Sequence, residues 1–377
     1  MRWVTFFPGI QRQHLTKDVG LLPFFMGQEG FDAELISTGR GVVESEIPQE
    51  VHFLRIKTLS DLGKRFFLEN AFLQYLDTHA REIDVLNLFH LNRETVFYGL
   101  KYKKLNPSGF LYIKLDAYNQ HLATRKVFSK SSIKNLYMQL QAKKFYKSVD
   151  LFTVENKEGK AIAEKSYPEW EGKIDYLPNG CNDTYLNSIA GEMPKKEQVV
   201  LSVGRLGSPD KNYGLFLESL KYMDLPEWKF KIVGPISEEF SARIENEMLE
   251  NPDVFKNIEF TGPMTDRVKL YQEYSKASVF FLPSRFESFG IAFVEALFFG
   301  NVLVGHSRMA AFNDLTDNGK LGEYYNDNDP RSFAAGLKKA VEKSKESGIQ
   351  NQIEEHARQN FYWSNLARRL SSRIRNE

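Results

Sequence analysis

Cysteine is nearly absent: Cys181 is the single thiol in 377 residues. One thiol excludes a disulfide framework and a cysteine-rich metal site, and it fits a reducing compartment. Surplus charge is missing too. Fifty Lys and Arg stand against 49 Asp and Glu, a net charge of +1, so no overall field draws the chain to nucleic acid. No Asp-x-Asp pair lies in a metal-binding setting; Asp327-Asn328-Asp329 falls in a late polar loop and reads as a turn. The longest apolar region, residues 291–305, is shorter than a membrane span and carries Glu295 and Asn301. The apolar opening, residues 3–7, stops at Pro8-Gly9. That is too short for a signal peptide, so a cytoplasmic location is expected. Short repeats and low-complexity tracts are also lacking. So is the Gly-x-Gly-x-x-Gly fingerprint of dinucleotide-dependent dehydrogenases: Gly39-Arg40-Gly41-Val42-Val43-Glu44 has no third glycine.

What is present can build sizeable cores. Hydrophobic residues make up 42% and aromatics 14%, which argues against disorder, and the length suits two ordinary domains. Strand-like runs near 3–6, 33–37, 51–56, 85–89, 110–115 and 151–154 alternate with helical stretches, the first around 17–26. A second series lies near 199–203, 229–233, 257–260, 278–282, 302–304 and 323–325. This alternation predicts parallel sheets covered on both faces. Tyr176-Leu177-Pro178-Asn179-Gly180 reads as the turn between the halves.

Chemistry concentrates in the second half. The strand-like run 278–282 ends at Pro283 and leads into Ser284-Arg285-Phe286-Glu287-Ser288-Phe289-Gly290-Ile291, after which helical spacing runs to Gly300. Glu287 therefore falls on a loop at a strand's carboxyl end, and Glu295 about one turn into the helix. Gly290 allows a ligand close to the free N–H groups of the helix start. Carboxylates accept hydrogen bonds from paired hydroxyls, so the arrangement suits a ligand with phosphate at its centre and sugar rings at its ends. Roughly 80 residues upstream, a spacing that suits βα units, Gly204-Arg205-Leu206 follows another buried strand and Lys211-Asn212 opens the next helix. Arg205 offers a planar fork to phosphate oxygens and Lys211 a mobile point charge.

These two segments, Gly-Arg-Leu…Lys-Asn and Glu-Ser-Phe-Gly…Glu-Ala, resemble the donor site of retaining glycosyltransferases with the GT-B fold, glycosyltransferase family 4 (group 1) in particular. The resemblance implies an α/β chain of two Rossmann-like domains whose parallel sheets face each other across a cleft. Residues 1–180 would bind acceptor and 181–361 the nucleotide-sugar donor. A final helix, 362–377, would cross back to the first domain at Trp363-Ser364-Asn365-Leu366-Ala367. Glu287 would contact the transferred hexose-type sugar, Glu295 the ribose, and Arg205 and Lys211 the diphosphate. Gly204, Ser288, Phe289, Gly290 and Ile291 would lie against the donor, and Gly262-Pro263-Met264 would line the base pocket. The expected donor is a UDP- or GDP-sugar and the acceptor a glycan or lipid-linked sugar. No cofactor or metal is implied, because the leaving phosphate oxygen can itself take the acceptor's proton.

The first half departs from the family pattern. Members of the family it resembles commonly carry a Gly-Gly pair in the first loop, where this chain reads Pro8-Gly9-Ile10-Gln11-Arg12-Gln13-His14-Leu15-Thr16-Lys17. Gly9 stands for the pair, and Lys17 either adds charge at the helix start or is simply solvated. Asp116 follows the run 110–115 where a His is common. It can orient an acceptor hydroxyl, act as a weak base, or cap the next loop. His90, after the run 85–89, is either catalytic or a half-buried residue with its polar needs met.

Acidic residues are missing from 117–149, where Arg125, Lys126, Lys130, Lys134, Lys143, Lys144 and Lys147 all fall. Ile133, Leu136, Tyr137 and Leu140 follow helical spacing in the same stretch. Such a helix can lie on an anionic bilayer as a peripheral contact, or turn its apolar stripe to the core and its basic face to water. The membrane reading would point to cell-surface polysaccharide assembly. Two further functions share this architecture: a non-catalytic nucleotide-sugar-binding partner of a transferase, and a sugar-nucleotide epimerase using Asp116 and His90.

Overall fold

The computed structural model describes residues 1–116, 119–124 and 133–376. Arg125, Lys126 and Lys130 lie outside these residues, and of Lys134 only the backbone is described. The chain divides into two compact units, Met1–Asp183 with Tyr362–Glu377, and Thr184–Phe361.

The first unit is built on β1 (Arg2–Phe6), β2 (Asp32–Thr38), β3 (Ile56–Leu59), β4 (Val85–Phe89), β5 (Phe110–Leu115), β6 (Leu151–Val154) and β7 (Ile174–Tyr176). They form one sheet in the order β3-β2-β1-β4-β5-β6-β7, every pairing parallel. The order reverses between β1 and β4, which makes their carboxyl ends the switch point where open α/β sheets take ligands. Successive side chains leave a strand on opposite faces, and both faces are buried. Val4, Phe6, Leu86, Leu88, Leu111 and Ile113 fill one core. Trp3, Leu35, Val85 and Tyr112 fill the other, with α1 (Asp18–Gln28) and the helix Trp363–Arg375. That last helix is amphipathic. It buries Trp363, Leu366, Ala367, Leu370 and Ile374, and Trp363 stacks on Phe25 at 6.4 Å between centroids.

Three sequence readings change in this unit. The run 51–56 is not a strand: Gln49–Val51 forms a 3-10 turn and β3 begins at Ile56. Val51 and Leu54 are spaced as on a helix and both enter the core, which alternation along a strand would forbid. β7 adds a strand that the sequence does not announce, being three residues long and too short to show a pattern. In α2 (Ile133–Ser148) the core face is Met138, Ala142, Phe145 and Tyr146, whereas Leu136, Tyr137 and Leu140 are 60%, 55% and 51% exposed. Of the apolar stripe, these three side chains do not face the core.

One group of charges is buried in this unit. Lys114, near the end of β5, is fully buried, with Nζ 3.3 Å from Glu155 Oε1 and 3.5 Å from Asp18 Oδ2. Asn179 Nδ2 donates to Glu155 Oε1 at 2.6 Å. Burial would lower the Lys114 amine, but Glu155 and Asp18 outweigh it and hold its proton more tightly than usual. Burial pushes the Glu155 carboxyl from its ordinary 4.5 up to about 8, against the pull of Lys114, with Asp116 and Asp18 adding to the rise.

The second unit contains β8 (Val199–Val203), β9 (Lys229–Val233), β10 (Ile258–Gly262), β11 (Val279–Phe281), β12 (Val302–His306) and β13 (Gly322–Tyr325), in the order β10-β9-β8-β11-β12-β13. All are parallel. Three of its helices frame the site: α3 (Tyr213–Ser219), α4 (Arg267–Lys276) and α5 (Ile291–Phe298). Both units are thus Rossmann-like.

A carboxyl whose folded pKa lies above its unfolded value contributes stability at low pH that is lost as pH rises through the folded pKa. Thermal melting should therefore show the first unit losing stability as pH rises from about 5 to about 8, and Glu155→Gln should flatten that slope. An equal slope in the variant would refute the assignment.

Candidate active site

The carboxyl ends of β8, β9 and β11 in the second unit lead to Gly204, Gly234 and Ser284. A Cβ on Gly234 would lie 1.7 Å from the Gly204 carbonyl oxygen, so the first two strand ends meet only because that position is glycine. Past Gly204, the loop to α3 carries Arg205, Asp210 and Lys211. The Arg285 N–H donates to the Asp210 carbonyl at 2.9 Å and ties this loop to the one carrying Glu287.

Lys211 Nζ sits 2.5 Å from Glu287 Oε1. The Ser284 hydroxyl donates to the same oxygen at 2.9 Å, and the Tyr325 hydroxyl donates to the Ser284 carbonyl at 3.1 Å. Arg205 is exposed, with its guanidinium 3.6 Å from Asp210 Oδ2. The Ser208 hydroxyl, and then the nearby Lys211 and Arg205 charges, hold the Asp210 carboxyl below its ordinary value against partial burial. An exposed cation and a carboxylate-bound one thus stand on one loop.

Gly290 precedes α5 with φ 80°, and a Cβ there would approach Phe293 to 2.8 Å and Met309 to 3.0 Å. Phe289 is buried against Phe361, so its ring belongs to the core and its backbone is what a ligand could meet. Ser288 and Ile291 are half-buried. Glu295, nearly buried, is held from both sides: Arg267 donates to Oε1 at 2.6 Å and the Tyr274 hydroxyl to Oε2 at 3.0 Å. Burial and the Glu295 charge raise the Tyr274 phenol well above its ordinary value, so it remains a donor. β10 ends at Gly262, with φ 70°, and Met264 follows it half-buried.

The sequence points to Lys211 and Glu287 separately, and the structure joins them. It leaves Arg205 at the rim with Asp210. Ser284, Arg267 and Tyr274 do not stand out in the sequence. Arg267 and Tyr274 lie 28 and 21 residues before Glu295, and no local spacing signals such a pairing. In the first unit, Gly9 follows β1 with φ 62° and open space around it. Lys17 is exposed at the start of α1. Asp116 is exposed after β5, and His90 follows β4 with φ 61°. Among the described residues no group of three His, Cys, Asp or Glu is placed to hold a metal ion.

Residues 187–360 match the glycosyl transferases group 1 family. The match covers nearly all of the second unit. A Klebsiella pneumoniae protein, "uncharacterized 41.2 kDa protein in cps region", is 27% identical over 135 residues, 36% of this chain and 34% of its own. The chain thus aligns with about a third of that relative. Among solved structures, Anabaena Alr3699/HepE in complex with UDP and glucose is similar with a TM-score of 0.69 at 14% identity, over 100% of both chains. A glycosyltransferase from Rickettsia africae gives 0.71 at 15%, over 100% of this chain and 98% of that one. The lipopolysaccharide outer core galactosyltransferase WaaB gives 0.68 at 14%, over 99% of both. The likeness shows the fold, GT-B, and with the family match it supports a GT-B glycosyltransferase.

Removing one partner of Glu295 leaves a nearly buried carboxylate short of a donor. Tyr274→Phe should cost about 1–2 kcal/mol of stability by urea denaturation. In a Glu295→Gln background the same change should cost less. Equal costs in both backgrounds would show that the hydroxyl and carboxylate are not coupled.

Proposed function

We propose that this chain is a retaining glycosyltransferase that moves a hexose-type sugar from a nucleotide-diphosphate donor to a glycan or lipid-linked acceptor, in bacterial surface polysaccharide synthesis. The Lys211–Glu287 pair beside Arg205 carries the reading. It puts diphosphate-binding cations and a hydroxyl-binding carboxylate at one strand edge, next to the glycine-led start of α5. The Klebsiella relative's cps region and the WaaB likeness support the polysaccharide setting, and the HepE complex supports UDP.

In this scheme Arg205 and Lys211 meet the diphosphate, Glu287 holds the sugar, and Glu295, oriented by Arg267 and Tyr274, accepts from the ribose hydroxyls. The bond from anomeric carbon to diphosphate oxygen breaks while the acceptor oxygen bonds that carbon on the same face. The acceptor's proton passes to the leaving phosphate oxygen. Charge stabilisation by the two cations does the work a metal would otherwise do. Calorimetry with UDP-, GDP-, ADP- and dTDP-sugars in EDTA should find one nucleotide class that binds. Lys211→Ala should then lower kcat/KM by about 100-fold. Binding that appears only with magnesium or manganese would refute metal independence, and no binding in either condition would refute the donor site.

The exposed Leu136, Tyr137 and Leu140 beside exposed Lys143, Lys144 and Lys147 support a peripheral contact with an anionic membrane. Among the described residues no helix is long and apolar enough to cross one. Co-sedimentation with phosphatidylglycerol vesicles should be lost in Leu136→Ser/Leu140→Ser; unchanged binding would refute the contact.

A further inference from the structure

A second concave site lies wholly within the first unit, at the switch point between β1 and β4. It is a cavity of about 240 Å³ whose lining includes Phe67, Phe72, Tyr98, His90, Asn92 and Glu94. The volume is below the roughly 300–1,000 Å³ of pockets for drug-sized ligands, so it suits one ring rather than a nucleotide.

Its walls are rigid and aromatic. Phe72 stacks on Phe6 at 4.4 Å between centroids, and Tyr98 meets Phe72 edge-on at 5.5 Å. Phe67 is half-buried at the turn of the hairpin formed by Lys64–Arg65 and Leu68–Glu69. Two polar groups of the lining keep their hydrogen-bonding capacity, and the Glu94 carboxylate lies near enough to Lys64 to feel its charge. Among the described residues, neither the His90 ring nor the Glu94 carboxylate has a hydrogen-bond partner. Asn92 Oδ1 is used in capping the helix Arg93–Leu105, accepting from the Thr95 N–H at 2.8 Å, which leaves the amide N–H groups to donate outward. His90 holds a left-handed backbone, φ 61°, which costs energy in a residue with a Cβ. Lys64, the one cation of the lining, is paired with Glu69 at 2.8 Å.

We infer that this cavity binds a neutral pyranose. Apolar C–H faces of the ring would rest on the aromatic walls. Glu94 would accept from hydroxyls, Asn92 would donate, and His90 would do either. The chemistry disfavours an anion: the one cation is spent on Glu69, and Glu94 adds a further negative charge. Assigning this sugar to the acceptor rests on the transferase reading above; the sugar site itself does not.

The test is ligand-observed saturation-transfer NMR on the full chain with glucose, galactose, N-acetylglucosamine and glucuronate, with binding of UDP, GDP, ADP and dTDP measured on the same preparations. At least one neutral sugar should bind and glucuronate should bind more weakly. Phe67→Ala and Glu94→Gln should each weaken the neutral sugar by about tenfold with affinity for the bound nucleotide unchanged. Phe67 is only half-buried, so its truncation spares the core. The inference is overturned if no neutral sugar receives saturation, if both variants bind it like the wild type, or if glucuronate binds more tightly. Sugar binding with none of the four nucleotides bound would leave this site standing and remove the transferase reading; nucleotide binding without sugar would do the reverse.

Discussion

Parallel strands covered on both faces leave little room for polar chemistry along their length, and this constraint shapes both units. Side chains from β1, β4, β8 and β11 are spent on packing, so the backbone reaches water where the strands end. Arg205, Lys211, Glu287, His90 and Asp116 all follow the carboxyl ends of such strands. The exceptions are few and are provided for. Ser202, fully buried within β8, donates to the Phe281 carbonyl at 2.7 Å, and Lys114 has two carboxylates within reach.

The two glutamates of the second unit meet the same cost in different ways. Glu287 is partly exposed and takes one mobile cation and one hydroxyl on a single oxygen. Glu295 is nearly buried and has a donor on each oxygen. Ion pairs of this kind contribute little net stability, because desolvation offsets the attraction. What they provide is a fixed orientation, and a carboxylate already oriented loses less entropy when a ligand arrives.

How much can be read from the chain depends on how local the signal is. The strands that lead into the candidate site of the second unit, β8 and β11, are largely apolar runs closed by Gly204 and Pro283, and each lies within a residue or so of its expected place. The Glu287–Gly290 turn is legible because strand, turn and helix are contiguous. Arg267 and Tyr274 are not, because their link to Glu295 exists only after α4 packs beside α5. The aromatic cavity is equally hidden: Phe67, His90 and Glu94 come from a hairpin, a strand end and a helix start, and only His90 stands out in the sequence. In α2 the apolar spacing is plain, yet spacing cannot say which of two apolar faces meets the core. Phe145 and Tyr146 settle that by entering the core themselves.

The helix Trp363–Arg375 fills the core of a unit whose other residues end at Asp183. The chain leaves and re-enters that unit at neighbouring points, where the Trp363 N–H donates to the Cys181 carbonyl and the Ser364 N–H to Asp183 Oδ1. The first unit therefore cannot close its core over Phe25 until the residues of the second unit have been made. Until then Phe25 and its neighbours lack the apolar face of the last helix that covers them. That interval, with an apolar face uncovered, is where a chaperone would have most to hold.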